Sequence, residues 1–166
     1  MSGAADKNVH ATRACLETRY RRRLPHYQKA DTPIFVTFRK GTRQPLPDAA
    51  RSIVLQHCLY GDRIRFRLHA VVVMPEHVHL LVTPLRDAHG DMFRLSEILR
   101  GIKGASAKSV NQLLGGSGPL WQEESFDHVL RSEESLQQKI EYIRQNPVRR
   151  GLVKTPEDYR WLWIRE

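Results

Sequence analysis

The chain has no long apolar run. No stretch of its 166 residues approaches the roughly 20 consecutive apolar residues of a membrane span, and the opening MSGAADKNVH has no apolar segment of signal-peptide type. Cysteine is scarce: Cys15 and Cys58 are the two in the sequence. They are far apart and form no CxxC, so neither a disulfide scaffold nor a cysteine zinc site is supported. No HExxH occurs, which removes the zincin reading. The expectation is a soluble, cytoplasmic protein with no membrane partner.

Acidic residues are also in deficit. Against 18 Asp+Glu stand 27 Lys+Arg, a formal net charge of +9 and a pI near 10.0. Such an excess suits a polyanion, because Lys and Arg displace counterions condensed on phosphates. Nucleic acid is the partner that this balance favours.

Residues 1–31 read as a basic arm, with Arg21, Arg22 and Arg23 in one run. A solvated tail is the plain alternative for such a run. Residues 32–166 read as one catalytic domain. PIFVTFR (33–39) is a β-branched and aromatic strand. Asp48 is placed to cap a helix over 49–60, stopped by Gly61. IRFRLHAVVVM (64–74) and HVHLLVT (77–83) form two strands joined by a tight turn at Pro75 and Glu76. A helix over 96–114 follows, weakened by Gly101 and Gly104. LWQEESFDHVL (120–130) gives a further strand, and Ser132 opens a helix to about Gln145, ended by Asn146-Pro147. The remainder reads as a tail with Tyr159, Trp161 and Trp163. Strand–helix–strand–strand–helix–strand–helix fits an α+β domain with a ferredoxin-like antiparallel sheet and an added C-terminal helix carrying a tyrosine.

The chemistry concentrates at two places. Strand side chains alternate faces, so His77 and His79 share one side while Val78, Leu80 and Val82 share the other. Two neutral imidazoles on one face can share a divalent cation. A bare His-x-His is short and common by chance, so two half-buried histidines with backbone partners remain the competing reading. Neutrality of the ligands makes activity fall below about pH 6.5. The second place is Tyr142. Asn146 follows it by one helical turn on the same face, with an amide oxygen that is a candidate third metal ligand. An ordinary tyrosine at the core edge competes with the functional reading. A phenol is a weak nucleophile at neutral pH and needs an activated electrophile, which a cation held by the two imidazoles can supply.

These segments together resemble a known family. MPEHVHLLVTP, WQEESFDHVLR, EYIRQNPVRRGLV, RRRLPHYQ, FVTFR and ILRGIKGASAKSVNQ are similar to stretches of the REP-associated tyrosine transposases, single-tyrosine transposases of the HUH endonuclease superfamily. The resemblance runs from about Arg21 to about Trp161. It implies an HUH fold, His77 and His79 as the metal pair, Asn146 as a polar third ligand, and Tyr142 as the nucleophile that forms a 5′-phosphotyrosine link. It implies Mg²⁺ or Mn²⁺ as the cofactor and single-stranded DNA hairpins of the REP type as the partner. Whether the chain acts as monomer or homodimer stays open. Where relatives often carry an aromatic, this chain has Ser125.

Candidate DNA contacts are Arg21, Arg22, Arg23, Lys103, Arg131, Arg149 and Arg150 for phosphates, and Trp121 for base stacking. Core packing is the competing role for the tryptophan. Two other functions compete with the strand transferase: a catalytically silent DNA-binding protein, and a metal-dependent hydrolase in which water attacks instead of Tyr142.

Overall fold

The computed structural model describes residues 31–166; the expected basic arm, with Arg21, Arg22 and Arg23, lies outside them apart from its last residue. Five strands form one antiparallel sheet: β1 (Ile34–Lys40), β2 (Phe66–Val73), β3 (His77–Pro84), β4 (Trp121–Val129) and β5 (Leu162–Ile164), in the order β4-β1-β3-β2-β5. The first four strands with α1 (Asp48–Tyr60) and α2 (Leu95–Leu114) are the ferredoxin-like unit. The added helix α3 (Glu133–Arg149) packs on β2 and β3.

The register sets the two faces of the sheet. Val36 pairs with Leu80 and Phe38 with Val78, while Thr37 pairs with His79 and Arg39 with His77. By alternation, Val36, Phe38, Val78, Leu80 and Val82 line one face, and all five are buried in the core. Helix α2 closes that face, where the Trp121 ring meets Phe38 edge-on at 4.9 Å and its indole N–H donates to Ser106 Oγ on α2 at 3.0 Å. The other face carries Thr37, Arg39, His77 and His79, and α3 covers part of it.

The β2–β3 turn is tight, as its Pro75-Glu76 pair predicts: the Met74 N–H donates to the His77 carbonyl at 2.8 Å. This turn is what starts β3 at His77 and thereby sets which way both imidazoles point. Gly61 follows the last turn of α1, and only glycine fits there, since a Cβ would lie 2.4 Å from the Phe66 ring.

Three sequence expectations change. Asp48 is the first residue of α1 and not its cap; Pro47 precedes the helix, and the Asp48 carboxylate pairs with Arg51 one turn on. Helix α3 does not stop at Asn146-Pro147 but continues to Arg149 with the proline inside it. The proline lies in the last turn, so its missing N–H costs one hydrogen bond where the ladder is already ending. The tail also holds an edge strand. The β5 pairing to β2 is locked by Arg165, whose guanidinium donates to both oxygens of Asp62 at 2.6 Å and to the Leu68 carbonyl. Cys58 is buried in the core as a free thiol, pushed up to about 12 by burial.

Candidate active site

The site forms where β3 faces α3. His77 and His79 are 4 and 6% exposed, and their Nε2 atoms are 3.1 Å apart. His79 is fixed from behind, because its Nδ1 is 2.8 Å from Thr37 Oγ1 on the neighbouring strand. An Nδ1–H donated to Thr37 leaves the lone pair on Nε2, the atom that faces His77. The His79 ring also stacks on Phe35 at 5.3 Å. Burial pushes His77 down to about 4, helped by the charges of Arg39 and Arg150. Burial pushes His79 down to about 3, with His77 and Arg39 adding to it. Both rings are therefore neutral throughout the physiological range. The unperturbed histidine value behind the acid edge expected near pH 6.5 leaves out this desolvation.

Tyr142 projects from α3 into the same cluster. Its ring lies 5.4 Å from the His79 ring and 5.8 Å from the Phe35 ring, edge-on to both. The helix reaches this position by burying Leu136 and Ile143 on one side, and Ser132 caps its start by accepting the Ser135 N–H at 3.1 Å. Asn146 is buried one turn beyond Tyr142, and its Oδ1 has no hydrogen-bond partner. A buried amide oxygen without a donor costs about 1–3 kcal/mol, so a ligand to it is chemically invited. His77 Nδ1 is likewise unpartnered.

A divalent cation fits this donor set. Two nitrogens each about 2.1 Å from one ion, at right angles, lie roughly 3 Å apart; the pair here is at 3.1 Å. Among the described residues no group of three or more His, Cys, Asp or Glu side chains forms a cation site. Any site here therefore rests on imidazole and amide donors, with remaining positions left to water or phosphate oxygens.

The candidate DNA contacts divide. Trp121 is a correction: it is buried in the α2 face with its N–H spent on Ser106, so it cannot present a ring to a base. Lys103 is committed inside the fold. Its ammonium donates to the carbonyls of Gln122 and Glu123 at 2.7 and 2.9 Å and to Ser125 Oγ at 3.2 Å, tying α2 to β4. With three donors used by three acceptors, none is left over for a phosphate. Ser125 takes part in this tie. Arg131 is exposed at the end of β4. Arg150 pairs with Glu76 at 3.3 Å beside the site. The Arg149 guanidinium lies 5.3 Å from the centre of the Tyr142 ring. Residues that sequence reasoning missed include Thr37, Phe35 and Arg39. Their signal was the FVTFR strand, whose alternation puts them on one face once β1 is paired with β3.

A ferredoxin-like sheet whose central strand carries a His-x-His pair, with a helix-borne tyrosine packed against it, defines the class of this chain as an α+β domain built around one shared imidazole–phenol site. No family model matches the sequence. Comparison with known proteins nevertheless bears out the resemblance carried by the motifs. The chain is 27% identical over 141 residues to the REP-associated tyrosine transposase of Escherichia coli K12, a match covering 84% of this chain and 78% of that protein. It is 24% identical over 114 residues to a putative REP-associated tyrosine transposase of Haemophilus influenzae, covering 66% of this chain and 63% of that protein. The match thus spans just under two thirds of the Haemophilus relative. A solved REP-associated tyrosine transposase bound to a REP hairpin has the same fold, with TM-score 0.64 and 25% identity over 82% of this chain and 78% of that one. In sequence and fold the chain is similar to the REP-associated tyrosine transposases. No helix of the described residues is long and apolar enough to cross a membrane.

Proposed function

We propose that this chain is a metal-dependent endonuclease and strand transferase acting on single-stranded DNA hairpins of the REP type. The observation that carries the reading is the packing of the Tyr142 ring against His79, whose Nε2 meets that of His77 at 3.1 Å. A hairpin ligand is supported by the solved relative, which is bound to a REP hairpin, and by the net charge of +9.

His77, His79 and Asn146 would hold Mg²⁺ or Mn²⁺. When bound, the cation supplies Lewis-acid polarisation of a phosphate oxygen. The chain does the rest. Thr37 and Phe35 hold the His79 ring in place, and the wall of β3 and α3 excludes water from one side. Tyr142 attacks the scissile phosphorus: the Oη–P bond forms, the P–O3′ bond breaks, the phenol proton passes to solvent and the departing 3′ oxygen takes up a proton. The products are a 5′-phosphotyrosine link and a free 3′ hydroxyl. Reversal with another 3′ hydroxyl completes strand transfer.

The test is a labelled single-stranded hairpin incubated with the protein and Mn²⁺, then resolved on a denaturing gel. The expected outcome is a protein–DNA adduct that disappears with chelator and in Tyr142→Phe. A gel shift without cleavage would make the chain a silent binding protein, and cleavage that survives Tyr142→Phe would make it a water-using hydrolase. Either result overturns the proposal.

A further inference from the structure

Arg39, Lys139, Arg149 and Arg150 bring positive charge to the site, and Arg150 pairs with Glu76. Lys139 is set apart by its place against two of the site's aromatic rings. It precedes Tyr142 by three residues, so the two share one face of α3. Its ammonium lies 4.7 Å from the centre of the Phe35 ring and 5.3 Å from that of Tyr142. Phe35 is the ring on which His79 stacks, and the Lys139 charge reaches His79. Among the described residues no carboxylate forms an ion pair with it.

We propose that Lys139 is a further catalytic residue, whose ammonium binds a non-bridging oxygen of the scissile phosphate and neutralises the charge that grows there as Tyr142 attacks. This assignment rests on the proposed phosphoryl transfer. The physical reason is a half-buried cation held by two aromatic faces. Ring quadrupoles offset its desolvation only in part, so the arrangement is completed by an anion. A phosphodiester in line with Tyr142 Oη is the anion that the neighbouring chemistry requires. Arg149 approaches the same ring at 5.3 Å, so cations approach the Tyr142 ring from two residues of α3. Lys139 stays a cation throughout. It exchanges no proton and forms no bond to phosphorus; its contribution is charge placed where the transition state becomes more negative.

The experiment compares wild type with Lys139→Ala, Lys139→Met and Lys139→Arg. It measures the single-turnover rate of adduct formation with saturating hairpin and Mn²⁺, and hairpin affinity separately by gel shift in chelator. Lys139→Ala and Lys139→Met should slow the adduct step about 100-fold, the scale of one lost transition-state donor, while affinity changes far less. Lys139→Arg should recover most of the rate, because it restores charge. Lys139→Met keeps the apolar stem without the charge, so a rate equal to that of Lys139→Arg would mean packing alone and would overturn the assignment. So would an undiminished rate in Lys139→Ala. A wild-type protein that forms no adduct at all would instead overturn the underlying reading, and this assignment with it.

Discussion

The two faces of the central sheet are made by the same strands and do opposite things. On one, Val36, Phe38, Val78, Leu80 and Val82 are buried among aliphatic and aromatic neighbours, and every lost methylene there is lost stability. On the other, His77 and His79 are buried as polar groups beside a half-buried Thr37, with the orphaned Oδ1 of Asn146 coming from α3. That face is costly to fold: it desolvates two imidazoles and leaves an amide oxygen without a donor. A period of two lets strand β3 alternate between these demands at each residue, from Val78 to His79 to Leu80. The lesson is that stability and chemistry can be separated by substituting adjacent residues.

The sharpest way to break that comparison is to remove the phenol. Tyr142→Phe keeps the ring that packs on His79 and Phe35. Adduct formation should fall below detection, while the urea midpoint stays within error of wild type. A large loss of stability would mean that the hydroxyl has a structural partner, and the two faces would not be separable in this way.

The next effect lies on the other face. Leu80→Ala removes a fully buried side chain and should cost about 2–5 kcal/mol, as large-to-small core changes do, read as a lowered urea midpoint. Any protein that remains folded should still form adduct, since the adjacent His79 is untouched. Loss of the adduct without loss of stability would show that the apolar face also sets the geometry of the histidines.

Much of this division was legible in the sequence. His-Val-His within an apolar run, bounded by Pro75 and Pro84, gives the strand, its turn and the shared side of the imidazoles by alternation alone. Tyr142 and Asn146 follow from helical spacing. What could not be read has a physical cause in each case. Trp121 was open to both roles because burial depends on α2 folding over it. Lys103 stood out only by its place inside a matched motif, and two of its three acceptors are backbone carbonyls, which have no sequence signature. Strand β5 escaped because three residues, Leu162–Ile164, are too few to establish a period; the pairing depends on Asp62, about a hundred residues away.

That long-range tie gives the third prediction. Partial burial works against the Asp62 carboxylate, but the Leu68 N–H and the Arg165 guanidinium outweigh it and hold its pKa below the usual range. A depressed folded value means that its stabilisation is present above the unfolded value, about 4, and fades as pH falls from there through the folded value. Asp62→Asn should therefore be less stable by about 2 kcal/mol near neutral pH, the scale of hydrogen bonds to a charged group. The gap to wild type should begin to narrow near pH 4 and close only below the lowered folded value. The buried histidines destabilise both proteins alike in acid and drop out of the difference. A gap independent of pH would show that packing of Arg165, and not the charge of Asp62, secures β5.

The smallest expected effect tests how the polar face is held. Thr37 Oγ1 meets His79 Nδ1 at 2.8 Å, the contact that would orient the ring and fix its tautomer. Thr37→Val keeps the shape and removes the hydroxyl. Partners of this kind typically govern metal affinity by 10–100-fold, and the lower end, about tenfold, is expected here because the Phe35 stack continues to hold the ring. The measurement is the Mn²⁺ concentration that gives half-maximal adduct, which should rise about tenfold while the rate at saturating Mn²⁺ is nearly unchanged. Removing this acceptor also leaves the buried His79 Nδ1 without a partner, so a modest loss of stability should accompany the shift. An unchanged Mn²⁺ requirement would mean that stacking alone orients His79, and that the polar face is organised by its aromatic wall and not by its hydrogen bonds.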